Sequence, residues 1–102
     1  MDKFILYLGL NDKDTKTQKI DTAKAHEICE HILLHYTAGG TVSEAKGVYT
    51  HNDGTSIIEN TLKIEILFTT EDTVKSLAEK LKEVFNQESI AVQKQSIDGY
   101  LI

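Results

Sequence analysis

The chain has 102 residues, of which 40% are hydrophobic, and its formal net charge at neutral pH is −5. This length predicts one domain over residues 1–102, with a core that needs neither disulfides nor metal. All eleven basic residues are lysines, and the net negative charge argues against non-specific nucleic-acid binding, which requires clustered positive charge.

The first part of the chain predicts a strand, a connector and a helix. Residues 4–10 are apolar at nearly every position, as in a strand covered on both faces. Residues 11–19 are polar and predict an exposed loop. Asp21 stands at an N-cap position, and apolar residues recur after it with helical spacing. That stripe consists of Ala25, Ile28, Cys29, Ile32, Leu33 and Tyr36.

Two glycines, Gly39 and Gly40, predict the end of this helix, because glycine adopts the left-handed conformation after a cap without strain. A β-hairpin follows, in which Asp53-Gly54 supplies the positive φ of a tight turn. The predicted segments are a strand over residues 41–50, a turn over 51–55 and a return strand over 56–69.

A second helix and a last strand complete the chain. The helix opens at Thr69 or Thr70, and residues 89–93 predict the strand. The order βαββαβ predicts an α+β, ferredoxin-like sandwich, with a four-stranded antiparallel sheet and two helices on one face. The apolar stripe of the second helix consists of Val74, Leu77, Ala78, Leu81 and Val84 or Phe85.

The sheet face opposite the helices predicts self-association. Ile5, Tyr7 and Leu67 are assigned to that face and are apolar. A bare apolar face favours burial against a partner, so we predict a homo-oligomer formed through this face or through a sheet edge.

The histidines and the single cysteine do not predict a reactive site. His31 and His35 have a spacing that can chelate a divalent ion, but no further ligand is placed by the sequence, so neither a metal nor a cofactor is predicted. Cys29 lies on the apolar stripe and is predicted to be a buried structural thiol. With one cysteine and no apolar run of roughly 20 residues, we predict a cytoplasmic protein without a membrane or nucleic-acid partner.

Residues 40–47, with the sequence GTVSEAKG, are the best candidate for a ligand site. The terminal glycines let the backbone approach a ligand, Thr41 offers a hydroxyl and Lys46 offers one positive charge. A structural interpretation competes with this one, in which Gly40 caps the helix and Gly47 forms a strand bulge.

Three carboxylates of the hairpin strands, Glu44, Glu59 and Glu65, could converge. Carboxylates on a wet strand face are usually only solvated, so no catalytic residue is predicted.

Four segments resemble the PII signal-transduction superfamily in their order and spacing. They are residues 40–47, Lys63-Ile64-Glu65-Ile66, a helix that opens on Glu71-Asp72, and Ile90-Ala91-Val92. The resemblance implies a PII-like form of the fold, a homotrimer, and small effectors bound in clefts between subunits. It implies that Thr41, Gly47 and Glu65 line or neighbour the cleft. With Lys46, these residues form the predicted ligand-binding set.

A second resemblance, carried by residues 6–10 and 85–90, is to a family of small bacterial domains of unknown function. We therefore predict a non-catalytic PII-like domain, not an enzyme, in which a small effector in an intersubunit cleft biases the hairpin over residues 47–62 for a protein partner. The alternative is a pure protein-interaction module, an inhibitor or adaptor without a small ligand. A third possibility is an uncharacterised enzyme, in which changing Glu59 or Glu65 to glutamine would abolish turnover.

Overall fold

The computed structural model describes residues 1–50 and 53–102, and these form a four-stranded sheet and two helices. The strand order is β2-β3-β1-β4, with every neighbouring pair antiparallel. Both helices pack on one face, which confirms the predicted ferredoxin-like, PII-like sandwich. The elements are β1 (Asp2–Gly9), α1 (Thr22–Tyr36), β2 (Thr41–Thr50), β3 (Ser56–Ile66), α2 (Glu71–Phe85) and β4 (Ala91–Ser96).

Strand alternation decides which side chains enter the core. Leu6 and Leu8 of β1 are fully buried and pair with Ile64 and Leu62 of β3. Side chains two residues apart share a face, so the even-numbered positions of these two strands point toward the helices. The odd-numbered positions form the opposite face, which we call the open face; it carries Tyr7, Thr61 and Lys63.

The predicted helix stripes pack on this core. In α2 all the predicted positions except Val84 are buried, and Val84 packs partly buried against them. In α1 the fully buried set is narrower and consists of Ala25, Cys29 and Leu33, whereas Ile28, Ile32 and Tyr36 are partly buried at the edge of the core.

Both helices begin at the predicted kind of capping residue. Asp21 accepts a hydrogen bond from the Lys24 amide at 2.9 Å. Thr70, rather than Thr69, accepts from the Thr73 amide at 3.2 Å. Each helix is 15 residues long, and neither is both long and apolar enough to cross a membrane within the described ranges.

The strand ends differ from the prediction at two places. Strand β3 stops at Ile66 rather than at residue 69, because Phe68 adopts a left-handed φ of +56° that no strand can continue through. Strand β4 starts later and runs further than predicted, since its pairing with β1 extends to Asp2. The residues of β4 are exposed and mostly polar, so they show no alternation of apolar and polar positions from which the length of the strand could be predicted.

The predicted turn over residues 51–55 is partly described. His51 and Asn52 lie outside the described residues. Gly54 has a φ of +87°, as expected for a tight turn, and the Thr55 amide donates to the Asp53 carboxylate at 2.8 Å.

The open face is less apolar than predicted. Ile5 is only 7% exposed, because Glu65 and Gln93 flank it from the neighbouring strands. Leu67 lies beyond the end of β3. Tyr7 is 38% exposed and remains available to a partner surface.

Cys29 is buried as predicted, and His31 and His35 face solvent. Cys29 is buried, and burial raises the pKa of its thiol to about 12, which leaves it protonated and unreactive at neutral pH. His31 and His35 are exposed on α1.

Candidate functional site

A cavity of about 510 Å³ lies on the open face, at the end of the sheet where β1 stops. The strands β2 and β3 continue past β1 at this end, so their last pairs stand beside the loop that follows β1. The segment between α2 and β4 closes the remaining side. Four chain segments thus meet around one concave surface.

Glu59 is a buried charged side chain that lines this cavity. It lies opposite Gly47 in the β2–β3 ladder and is only 7% exposed. Its Oε1 accepts from the Tyr49 hydroxyl at 2.5 Å, and its Oε2 accepts from the Asn11 amide at 2.9 Å. A carboxylate is rarely buried unless it is paired in this way. Since each oxygen has two acceptor positions, Glu59 can still accept from a ligand.

Two glycines make room for this arrangement. A Cβ at Gly9 would lie 2.8 Å from the Glu59 Cδ, closer than real Cβ contacts allow. A Cβ at Gly47 would lie 2.7 Å from the Thr61 Oγ1. Gly47 keeps regular pairing with Glu59, so it opens space beside the site instead of forming the bulge of the structural interpretation.

Tyr49 is the partner of Glu59 on β2. Although 43% of the residue is exposed, its hydroxyl is directed at the carboxylate. Burial of the phenol, followed by the hydrogen bond to Glu59 and the charge of Glu59, raises the pKa of Tyr49 to about 12. Tyr49 therefore holds its proton at neutral pH and acts as a donor.

We expect Glu59→Gln to lower the pKa of Tyr49, because the negative acceptor is removed, while burial keeps the value above that of a free tyrosine. The raised pKa also predicts that the native state loses stability as the pH rises from about 10 toward 12, since the unfolded chain releases this proton first. Tyrosine-selective NMR titration measures the pKa, with Glu65→Gln as the matched control. An unchanged Tyr49 pKa in Glu59→Gln would contradict the assignment.

The loop after β1 is more structured than the predicted connector. Asp12 is only 6% exposed, and its Oδ1 accepts from the amides of Asp14 and Thr15 at 2.9 and 3.0 Å. Its Oδ2 accepts from the side-chain amide of Asn86 at 2.9 Å. The hydrogen bonds from Asn86 and Thr15 are the main causes that hold the pKa of Asp12 below its usual range. The prediction of a solvated connector is therefore wrong at Asp12.

The structure does not bring the four predicted ligand-binding residues together within one chain. Gly47 lies at the cavity. Thr41 pairs with Glu65 six residues further along the strand, about 20 Å away at the usual rise per residue. Lys46 also lines the cavity, although its ammonium group hydrogen-bonds the Asn60 side chain. The binding role of these residues stays a prediction.

The three hairpin carboxylates do not converge either. Glu44 lies on the helix side, where its carboxylate is 3.8 Å from the His26 ring nitrogen Nδ1. Glu65 is held by Lys3 and Lys63 at 3.7 and 3.3 Å. Glu59 alone of the three belongs to the cavity.

The sequence pattern does not mark Gly9, Asn11 or Tyr49 as site residues. The sequence offers only weak signals for this site. Gly9 interrupts an otherwise apolar strand, and Glu59 precedes the part of β3 in which most residues are buried. Neither signal reveals that the two residues become neighbours, because they are 50 positions apart in the chain.

Comparison with known proteins identifies a family. A family model described as the S-adenosylmethionine lyase family matches residues 11–101. A phage S-adenosylmethionine lyase in complex with S-methyl-5'-thioadenosine is 27% identical, with a TM-score of 0.69 over 92% of this chain and 79% of that one. A phage S-adenosylmethionine lyase in the apo state is 26% identical, with a TM-score of 0.70 over 92% of this chain and 78% of that one.

CutA1 from Oryza sativa is 18% identical, with a TM-score of 0.57 over 99% of this chain and 84% of that one. This likeness supports the PII-like fold and nothing further, so membership of the PII superfamily stays a prediction. No curated protein sequence matches the chain.

The predicted absence of catalysis is wrong. The matching family and the two phage structures are named as lyases, and a lyase is an enzyme. The prediction failed because the fold resemblance pointed to effector binding, whereas the buried Glu59 site depends on contacts that the sequence pattern does not display.

Proposed function

This chain belongs to the S-adenosylmethionine lyase family, and on that premise we propose that it cleaves S-adenosylmethionine and releases S-methyl-5'-thioadenosine. The observation that carries the proposal is the family match over residues 11–101. It is supported by the phage lyase in complex with S-methyl-5'-thioadenosine, which is 27% identical to this chain over the aligned residues. The cavity around Glu59 is the proposed active site.

The electron balance of the reaction limits what the site must do. When the bond between the sulfonium sulfur and Cγ breaks, the electron pair goes to sulfur, which leaves as the neutral thioether. A lyase adds no water, so Cγ must receive electrons from within the substrate. Either the substrate carboxylate attacks Cγ and closes a lactone, or a base removes a Cβ proton and an alkene forms.

Glu59 favours the first route. The hydrogen bonds from Tyr49 and Asn11 stabilise the negative charge of the carboxylate, which favours pairing with a cation over removal of a carbon-bound proton. It is well suited to pair with the substrate's ammonium group. In this role Glu59 folds the aminobutyryl chain so that its carboxylate reaches Cγ, which is catalysis by orientation. No proton leaves the substrate in this step, and the amino lactone keeps the ammonium charge.

Product analysis tests both the activity and the route. We expect the purified chain to convert S-adenosylmethionine into S-methyl-5'-thioadenosine and an amino lactone. Substrate with two deuterium atoms at Cβ should give a product that keeps both. In water enriched in heavy oxygen, the amino lactone should form without incorporating the heavy isotope.

Three results would revise the proposal. Loss of one deuterium indicates elimination and contradicts the orienting role of Glu59. If the first product already carries heavy oxygen from water and no lactone forms before it, the reaction is a hydrolysis. No release of the thioether under any condition rejects the lyase activity.

The proposal includes a homo-oligomer, with a trimer favoured by the PII-like fold. Tyr7 and Tyr49 are 38% and 43% exposed beside the cavity, so a second copy could cover the open side of the site. Sedimentation equilibrium should give three times the chain mass of 11.4 kDa. A mass of one chain at working concentration would contradict this part of the proposal.

Thr41 and Glu65 pair with each other about 20 Å from Lys46 and Gly47, so a ligand role shared by all four residues would require neighbouring copies of the chain. A protein partner and a cytoplasmic location also stay predictions.

A further inference from the structure

A set of hydrogen bonds links the segment after α2 to the loop after β1 and ends at Glu59. Asn86 donates from its side-chain amide to the carboxylates of Asp12 and Asp14, at 2.9 Å each. Its main-chain carbonyl accepts from the Lys13 amide at 3.0 Å. The side chain and the backbone of Asn86 thus hold the same loop.

Gln87, the residue after Asn86, contacts the main chain of the same loop at Asn11. Its side-chain amide donates to the Asn11 carbonyl at 2.6 Å. The amide of that same Asn11 donates to the Glu59 Oε2 at 2.9 Å. Asn11 is therefore fixed on its carbonyl side by Gln87 and on its amide side by the carboxylate.

The two ends of this connection are distant in sequence. Asn86 and Asp12 are 74 positions apart, and Asn11 and Glu59 are 48 positions apart. Strand β1 ends at Gly9. Beyond it, the Leu10 amide donates to the Asn60 carbonyl, and Asn11 forms an isolated antiparallel bridge with Gln18 of the same loop. The orientation of the Asn11 amide beyond that point depends on contacts from outside the sheet.

We propose that Asn86 is a positioning residue, which holds the loop at Asp12 so that the Asn11 amide keeps the Glu59 carboxylate in its reactive orientation. The inference rests on the proposed function, because it assumes that Glu59 orients the substrate. Asn86 does not line the cavity, whereas Gln87 does, so Asn86 offers the cleaner test.

The backbone of Asn86 allows a selective substitution. Asn86 ends α2 in the left-handed conformation, with a φ of +48°, which glycine adopts without strain. Asn86→Gly removes the side-chain amide and keeps the helix end. Asn86→Asp keeps the shape of the side chain but places a negative charge against Asp12 and Asp14. Asp21→Ala, which removes the α1 cap, serves as a control for general destabilisation.

Each variant is characterised by two measurements. Hydrogen exchange of the Asn11 amide, measured by NMR, reports its bond to Glu59 without any need for activity. Release of S-methyl-5'-thioadenosine gives kcat and KM. In Asn86→Gly we expect amide protection and kcat each to fall by about tenfold, with KM changed by less than about threefold, because a displaced carboxylate still attracts the substrate but orients it poorly. Asn86→Asp should be affected more strongly, and Asp21→Ala should change neither quantity.

Unchanged protection of the Asn11 amide in Asn86→Gly would overturn the proposal. Lost protection with unchanged kcat would also overturn it, because the loop would then have no effect on the reaction. If the unmodified protein releases no thioether, the proposed function fails. The amide measurement then still decides whether Asn86 holds Asn11 against Glu59.

Discussion

Glu59→Gln is expected to lower kcat/KM for S-adenosylmethionine by about 10²- to 10³-fold, the size of effect seen when one preorganised charged or donor group is removed from an active site. The glutamine oxygen can accept from the Asn11 amide, and its NH₂ group can donate to the Tyr49 oxygen. The buried contacts are therefore retained in number, and we expect the free energy of unfolding to change by only about 1 kcal/mol. Steady-state kinetics and urea unfolding measure the two effects.

Glu65→Gln is the matched control for this prediction. Glu65 lies on the same strand and the same face, but it pairs with surface lysines instead of lining the cavity. Its substitution should leave kcat/KM within about twofold, since partly exposed ion pairs contribute little. Equal losses in the two variants, or full activity in Glu59→Gln, would reject Glu59 as the central group of the site.

Gly9→Ala is expected to reduce kcat/KM by about 10²-fold through steric displacement of Glu59. The φ of Gly9 is not positive, so alanine fits the backbone, and only the side-chain contact is at fault. The added Cβ would meet the carboxylate, which must then leave its position over β1. Overpacking of this kind costs about 1–3 kcal/mol in the free energy of unfolding.

A double-mutant cycle distinguishes this mechanism from general damage. If Gly9→Ala acts through Glu59, the pair Gly9→Ala and Glu59→Ala should be no less active than Glu59→Ala alone, and it should recover stability relative to Gly9→Ala. Gly99→Ala serves as the control, because Gly99 lies in the tail after β4 and a Cβ there would meet the Met1 sulfur at 3.3 Å and Ile97 Cδ1 at 3.9 Å, both in side chains. Additive losses in the cycle would contradict the steric explanation.

The fold does not decide the activity of this protein. CutA1 from Oryza sativa shares the same architecture at 18% identity, and its likeness carries no information about chemistry. The candidate site of this chain lies at the end of β1, where a buried carboxylate is held by a phenol and a main-chain amide.

The fold was largely readable because its signals are local. The capping position of Asp21, the helical stripe that contains Leu77 and Leu81, and the alternation around Ile64 each act within a few residues, and each predicts its element correctly. Strand β4 was placed less well because its residues are exposed and polar, so its extent depends on pairing with β1.

The amino-acid sequence by itself determined the βαββαβ order and the core, because the periodic spacing of hydrophobic residues is visible within short segments of the chain. Only the tertiary structure decided that Gly9, Asn11, Tyr49 and Glu59 form one site, which Gly47 borders and Thr41 does not. The physical reason is that strand register and loop contacts bring residues together across tens of positions. A buried carboxylate is recognisable only when the groups that bury it and hydrogen-bond to it are known.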